Sequence, residues 1–385
     1  MGEGGSMESA PIRAAEFFAG IGLVRTALER VKGAQIEVAW ANDIKQAKYD
    51  AYAANYPDAF DHFKVRDIRE VEAADLPTGI ELATSSFPCI DLSLAGNRRG
   101  LVGEQSGMFW EFARILEGMS PRPSVVLLEN VQGFATSHKG KDLEDAMRRL
   151  SEFGYSLDVL AIDARHFVPQ SRPRMFIIGI QKDRLPTHAR AEVPPTSDTR
   201  PAWVQAIHAK HRATLSMHYI NLPSLPEGPQ DLEGFVEADV NPGLWWNDDR
   251  VDAFVKSLSE IQKARFEALL TADSITHRTA YRRTRQGVSV WELRKDGIAG
   301  CLRTTGGGSS KQALVRVGKG SKAIRWMTPR EYANLMGAHD YKLLAGTPNQ
   351  QLFGFGDAVV VDVIEWIGNN YLLPVLRPDS VTSAG

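Results

Sequence analysis

Over its first 180 residues the chain alternates short apolar runs with stretches of helical spacing, and this alternation restricts the fold more than any other feature. Strands are predicted at 13–18, 36–41, 80–86, 124–130, 156–163 and 174–180, and helices at 23–31, 45–55, 106–118 and 141–153. Strands joined through helices return to the same sheet by crossovers, so the repeat requires a mostly parallel sheet with helices on both faces. Val125-Val126-Leu127-Leu128 is apolar without alternation, as a strand covered on both faces must be. The expected class is α/β: a Rossmann-like, doubly wound sheet. In such sheets ligands bind beyond the carboxyl ends of the strands.

The rhythm stops after Asp183. From Leu185 to about Arg250 prolines and polar residues dominate and no strand–helix period can be traced. Between Arg278 and Arg330 the chain carries a net charge of +11, while the remainder carries −13. Tyr281, Trp291, Trp326 and the run Gly306-Gly307-Gly308-Ser309-Ser310 interleave with these cations, a composition suited to following a phosphate backbone. A second, smaller and irregular recognition domain is therefore expected at 185–324, with the first domain formed by 12–184 plus 325–385. Thr328-Pro329-Arg330-Glu331 has the composition of a helix start. The apolar segment from Ala358 to Tyr371 should form a helix that packs back on the first domain. Residues 1–11 read as a tag or disordered extension, with Met1-Gly-Glu-Gly-Gly-Ser6 as an expression remnant.

Two cysteines, Cys89 and Cys301, stand far apart with no histidine or cysteine at metal spacing, so neither a disulfide framework nor a metal site is expected. No apolar stretch approaches a membrane span and no signal-peptide core is visible, which points to a cytoplasmic enzyme. Cys89 lies in Ser86-Phe87-Pro88-Cys89-Ile90-Asp91-Leu92-Ser93, after an apolar run and directly after proline. A stiff turn of this kind holds a thiol out of the core, where a nucleophile has to be. Phe18-Ala19-Gly20-Ile21-Gly22 marks a strand-to-helix turn whose glycines let a nucleotide-like ligand approach the backbone; taken alone, they suit NAD or FAD equally well. Glu129-Asn130-Val131 falls at a strand end, Gln170-Ser171-Arg172-Pro173-Arg174 precedes a strand, and Gly356-Asp357-Ala358-Val359 opens the last apolar stretch.

In this order the five segments resemble the motifs of the DNA cytosine-5 methyltransferases, over about 12–184 and 325–374. The resemblance implies S-adenosylmethionine as methyl donor and double-stranded DNA as partner, in a monomeric enzyme with a possible cognate restriction endonuclease. It implies catalytic roles for Cys89 as nucleophile, for Glu129 on the ring nitrogen and amine of cytosine, and for Arg172 and Arg174 in ordering the catalytic loop and contacting the flipped base. Phe18, Gly20, Gly22, Asp43, Ile44, Asp67, Ile68, Pro88, Asp357 and Ala358 become cofactor residues, with Asp43 on the ribose and Asp67 on the adenine amine. Ser93, Gln170, Arg282, Arg283, Arg285, Gly307 and Lys311 become substrate residues, while Cys301 is set aside as structural. The pattern is departed from at Leu23, at the Asp43-Ile44 pair, at Ile90 and at Asp357, which stands where the family has asparagine and brings a negative charge toward the methionine end of the cofactor. The same chemistry on structured RNA, or an idle DNA-binding regulator, are the alternatives.

Overall fold

The computed structural model describes residues 10–88, 107–285, 287–303 and 311–378. Seven strands form the main sheet: β1 (Ile12–Phe17), β2 (Ile36–Asp43), β3 (Phe63–Val65), β4 (Leu82–Ser85), β5 (Val125–Val131), β6 (Tyr155–Asp163) and β7 (Pro173–Gln181). Their order is β3-β2-β1-β4-β5-β7-β6. The first five run parallel, and β7 lies antiparallel to both β5 and β6. Every strand expected from the sequence is present. The three-residue β3 was not foreseen, because it is too short to show a period.

Helices cover both faces. Met108–Gly118 buries Phe109, Phe112, Ile115 and Leu116, while Lys141–Glu152 buries Leu143, Ala146, Met147 and Leu150 and carries Asp142 and Glu144 at its positive end. The direction of strand order reverses between β1 and β4, so the turn after β1 and the chain leaving β4 flank the crevice where doubly wound sheets bind ligands.

Two expectations need correction. The second unit is not irregular: β8 (Thr276–Arg285), β9 (Val288–Leu293), β10 (Gln312–Gly318) and β11 (Ser321–Trp326) form an antiparallel sheet ordered β11-β10-β8-β9. Helices Asp248–Ser257 and Glu260–Leu270 contribute Phe254 and Phe266 to its core, which also holds Trp246, Ala280 and Val315. The proline-rich stretch before it lies on the main sheet instead. Val204, Leu215 and Met217 join the core on one face of that sheet, and Asp158 on β6 takes Arg200, His208 and Tyr371 as partners in full burial.

The second correction concerns the C-terminal segment. Pro348–Leu376 is by length and composition long and apolar enough to cross a membrane, against the sequence reading, but 61% of its most apolar window is buried inside the protein. It is divided into Pro348–Asp357, an extended break at Ala358 and Val360, Val361–Ile367, a π turn and Leu373–Leu376. This segment covers the first helix, Leu23–Glu29: a Cβ on Gly354 would stand 2.9 Å from Ile21, and one on Gly368 2.4 Å from Val31. Close packing leaves no room there for a side chain.

Candidate active site

The turn after β1 is built to be open above and closed below. Phe18, Gly20 and Gly22 all have positive φ, at 58°, 59° and 85°. At Gly22 a Cβ would come within 2.7 Å of the Tyr52 and Tyr56 rings, so glycine is required there twice over. At Gly20 the nearest atom is a carbonyl 4.0 Å away, which leaves space above the turn. Asp43, at the end of β2, accepts the Gly20 amide at 3.1 Å and the Lys45 amide at 3.0 Å. Ile44 beside it is 59% exposed although apolar, whereas Ile68 is buried. The carboxylate of Asp67 caps the turn Ile68–Glu70 and pairs with Arg69, so an adenine amine would have to share it.

Lys48, one turn into the helix Gln46–Asn55, was not singled out from sequence. Its ammonium lies 3.4 Å from Asp43 and 3.3 Å from Asp357, bridging the two carboxylates. Burial pulls its pKa down, but Asp43 and Asp357 together hold it above the ordinary lysine value, so the bridge is charged.

Glu16 on β1 lies beneath this turn, 1% exposed. Burial pushes its carboxyl up to about 8 against the pull of Arg25. Below the ordinary 4.5 both folded and unfolded chains carry the proton, and between there and about 8 only the folded chain does. Stability attributable to Glu16 therefore falls with rising pH across that window, by about 1.4 kcal/mol per unit at most. Glu16→Gln should flatten the fall of melting temperature between pH 5.5 and 8; parallel profiles for the two proteins would rule the assignment out.

The second half of the site stands at the carboxyl end of β5. Glu129 is held by Arg174 across the antiparallel β5–β7 pairing, with Nε 2.8 Å from Oε1. Next along, Asn130 donates to the Phe87 carbonyl at 3.4 Å, and Phe87 is packed between Phe109 and Phe134. The stem of the Pro88 loop is thereby fixed beside Glu129. Cys89, Ser93 and Gly307 lie outside the described residues, as does the side chain of Arg285. A narrow cleft lined by Glu129, Arg172, Arg174, Phe176 and Val359 opens there.

Several assignments change. Arg172 is 2% exposed and donates to the carbonyls of Leu302, Gly356 and Ala358 at 2.8, 3.0 and 2.6 Å, so it braces the wall of the cleft. Gln170 is fully buried; its amide donates to Leu335 and accepts from Leu302, so both ends of the side chain are engaged inside the protein. Of the cations expected on substrate, Arg283 is paired with Glu292 at 3.2 Å and Lys311 with Asn349, while Arg282 faces the Trp291 ring. Cys301, set aside earlier, lies 3.4 Å from Arg172 and 3.8 Å from Arg174. Burial raises its thiol, but the two guanidinium groups lower it further, to below the ordinary range. Only its distance from the Pro-Cys context concealed it.

A doubly wound sheet with a glycine cradle at its switch point and an arginine-held carboxylate at the end of β5 defines a Rossmann-like protein. The chain belongs to the C-5 cytosine-specific DNA methylase family, whose profile matches residues 12–372. It is 25% identical over 360 residues to the type II methyltransferase M.HhaI of Haemophilus parahaemolyticus, covering 93% of this chain and 94% of that one. To M.BanI of Aneurinibacillus aneurinilyticus it is 32% identical over 173 residues, 44% of this chain and 38% of the relative. Among solved structures it shares its fold with Dnmt2 methyltransferase of S. pombe, at a TM-score of 0.58 and 17% identity over 95% of this chain and 99% of that one.

Proposed function

We propose that the protein transfers a methyl group from S-adenosylmethionine to carbon 5 of a cytosine flipped out of duplex DNA, through a covalent cysteine intermediate. The observation that carries this reading is the arginine-held Glu129 at the end of β5, adjacent to the anchored stem of the Pro88-Cys89 loop. Carbon 5 of cytosine is not nucleophilic in the intact ring. Addition of the Cys89 thiolate to carbon 6 makes an enamine whose carbon 5 can attack an electrophile; loss of the carbon-5 proton then expels the thiolate. Glu129, oriented by Arg174, would contact ring nitrogen 3 and the exocyclic amine, neutralising charge as the thiolate adds. A base in the stack is out of reach of either group, so the target must leave it.

The open Gly20 turn, Asp43 and the exposed Ile44 fit a nucleoside-bearing cofactor, which supplies the electrophilic methyl on a sulfonium. Asp43 would hold the ribose hydroxyls and Asp67 the adenine amine. The antiparallel sheet β8–β11, rather than the whole of 185–324, is the proposed recognition unit. Residues 298–303, between β9 and β10, run beside Gln170 and Arg172, and this contact between the sheet and the wall of the cleft supports the reading.

Incubation with tritiated S-adenosylmethionine and separate pools of duplex DNA and RNA, followed by sequencing for modified cytosine, tests the reading. Label is expected in DNA at cytosines within one short sequence. Label confined to RNA, or none in either pool, would overturn it.

A further inference from the structure

The acid at position 357 is explained by Lys48. The family motif has asparagine there, and an uncompensated carboxylate near the rim of the cofactor cradle would repel Asp43. The two carboxylate oxygens approach the same ammonium at 3.4 and 3.3 Å, so they stand within about 7 Å of each other. The lysine side chain is 19% exposed, Asp43 7% and Asp357 39%. Solvent screens the Asp357 end in part, while at the buried Asp43 end the intervening cation offsets the repulsion.

We propose that Lys48 and Asp357 form a charge-matched clasp that positions Asp43 for the cofactor, with Lys48 as a positioning residue rather than one that touches the reacting atoms. The clasp joins three segments far apart in sequence. Asp43 closes β2 and fixes the Gly20 amide of the first turn. Lys48 belongs to the next helix, and Asp357 ends the helix Pro348–Asp357. The Gly356 and Ala358 carbonyls on either side of Asp357 are in turn held by Arg172. With one oxygen of Asp43 directed to the Lys45 amide and the other shared between Gly20 and Lys48, the carboxylate has a single orientation. Asparagine at 357 would need no cation, whereas an acid at 357 without Lys48 would face Asp43 uncompensated.

The inference rests on Asp43 being a cofactor residue, so the test separates the two. Titration calorimetry with S-adenosylhomocysteine is run on Asp43→Asn, Lys48→Met, Lys48→Arg, Asp357→Asn and the double variant Lys48→Met/Asp357→Asn. Asp43→Asn should weaken binding strongly; unchanged affinity would remove Asp43 from the cradle and fail the underlying reading. Lys48→Met should weaken binding by about tenfold, with Asp357→Asn within about threefold of wild type. The double variant should bind severalfold tighter than Lys48→Met, because removing the second carboxylate charge removes the repulsion that loss of the lysine exposes. Lys48→Arg should retain most of the affinity. In steady-state kinetics Lys48→Met should raise KM for the methyl donor with little change in kcat. Additive effects in the double variant, with Asp43→Asn still deleterious, would overturn the clasp while leaving the cofactor assignment intact. Equal losses of melting temperature and affinity in Lys48→Met, without rescue in the double variant, would reduce Lys48 to a structural role and overturn it as well.

Discussion

Cys89→Ser should reduce methyl transfer by about 10⁴-fold or more, as replacement of a covalent nucleophile does in other enzymes, and leave DNA binding within about threefold of wild type. A hydroxyl is far less ionised than a thiol near neutral pH and far less polarisable, so it cannot add to carbon 6 at a useful rate. Binding should survive because phosphate contacts lie elsewhere and serine is nearly isosteric. The loop stem supports the assignment: β4 ends at Ser85, paired with Leu128, and Asn130 holds the Phe87 carbonyl, so Phe87 and Pro88 leave the sheet next to Glu129. A duplex containing 5-fluorocytosine should trap the wild-type protein covalently, since fluorine at carbon 5 cannot depart as a proton does. Comparable turnover by the serine variant, or trapping that persists in it, would remove Cys89 from its assigned role. Cys301 would then be the thiol to replace, because Arg172 and Arg174 already lower its pKa.

The largest expected loss of stability is at Arg172. Its guanidinium is buried and satisfies three main-chain carbonyls, from Leu302, Gly356 and Ala358. Arg172→Ala would leave these buried acceptors without their donor, and a cost of about 3–5 kcal/mol follows. Arg172→Lys should recover little, since one ammonium cannot span carbonyls that a planar fork reaches together. Urea denaturation monitored by tryptophan fluorescence gives the difference directly. A loss below about 1 kcal/mol would show that the neighbouring chain closes over the gap.

The course of the main sheet could be read from sequence because each strand is short, apolar and followed by a helix with a clear face, and the site residues at strand ends inherited that clarity. Glu129 was legible since a carboxylate ending Val125-Val126-Leu127-Leu128 has no packing reason to be there. The second sheet was hidden by its own composition. Strand β8 reads Thr-His-Arg-Thr-Ala-Tyr-Arg-Arg-Thr-Arg, and its fully buried positions, one on each face, are the small Thr279 and Ala280 rather than large apolar residues. Lys48 could not be found because a lysine one turn into a polar helix is indistinguishable from a solvated one until the distant Asp357 is brought to it. For Gln170 and Arg172 the motif was visible, but motif membership does not reveal how deeply a side chain is buried or which main-chain groups it holds.

The helices between Pro348 and Leu376 cover the first helix and carry one jaw of the clasp at the cradle. A ribosome delivers these parts in the opposite order to their use. Most of the seven-stranded sheet can assemble while Leu28 and Val31 still lack the partners Ile367, Gly368 and Leu373 that arrive some 340 residues later. Until then the nascent enzyme has an uncovered apolar flank and an Asp43 with no clasp. Methylation competence should therefore wait for Pro348–Leu376 to be in place, and a chain interrupted before Pro348 should keep an adhesive surface and an incomplete cradle.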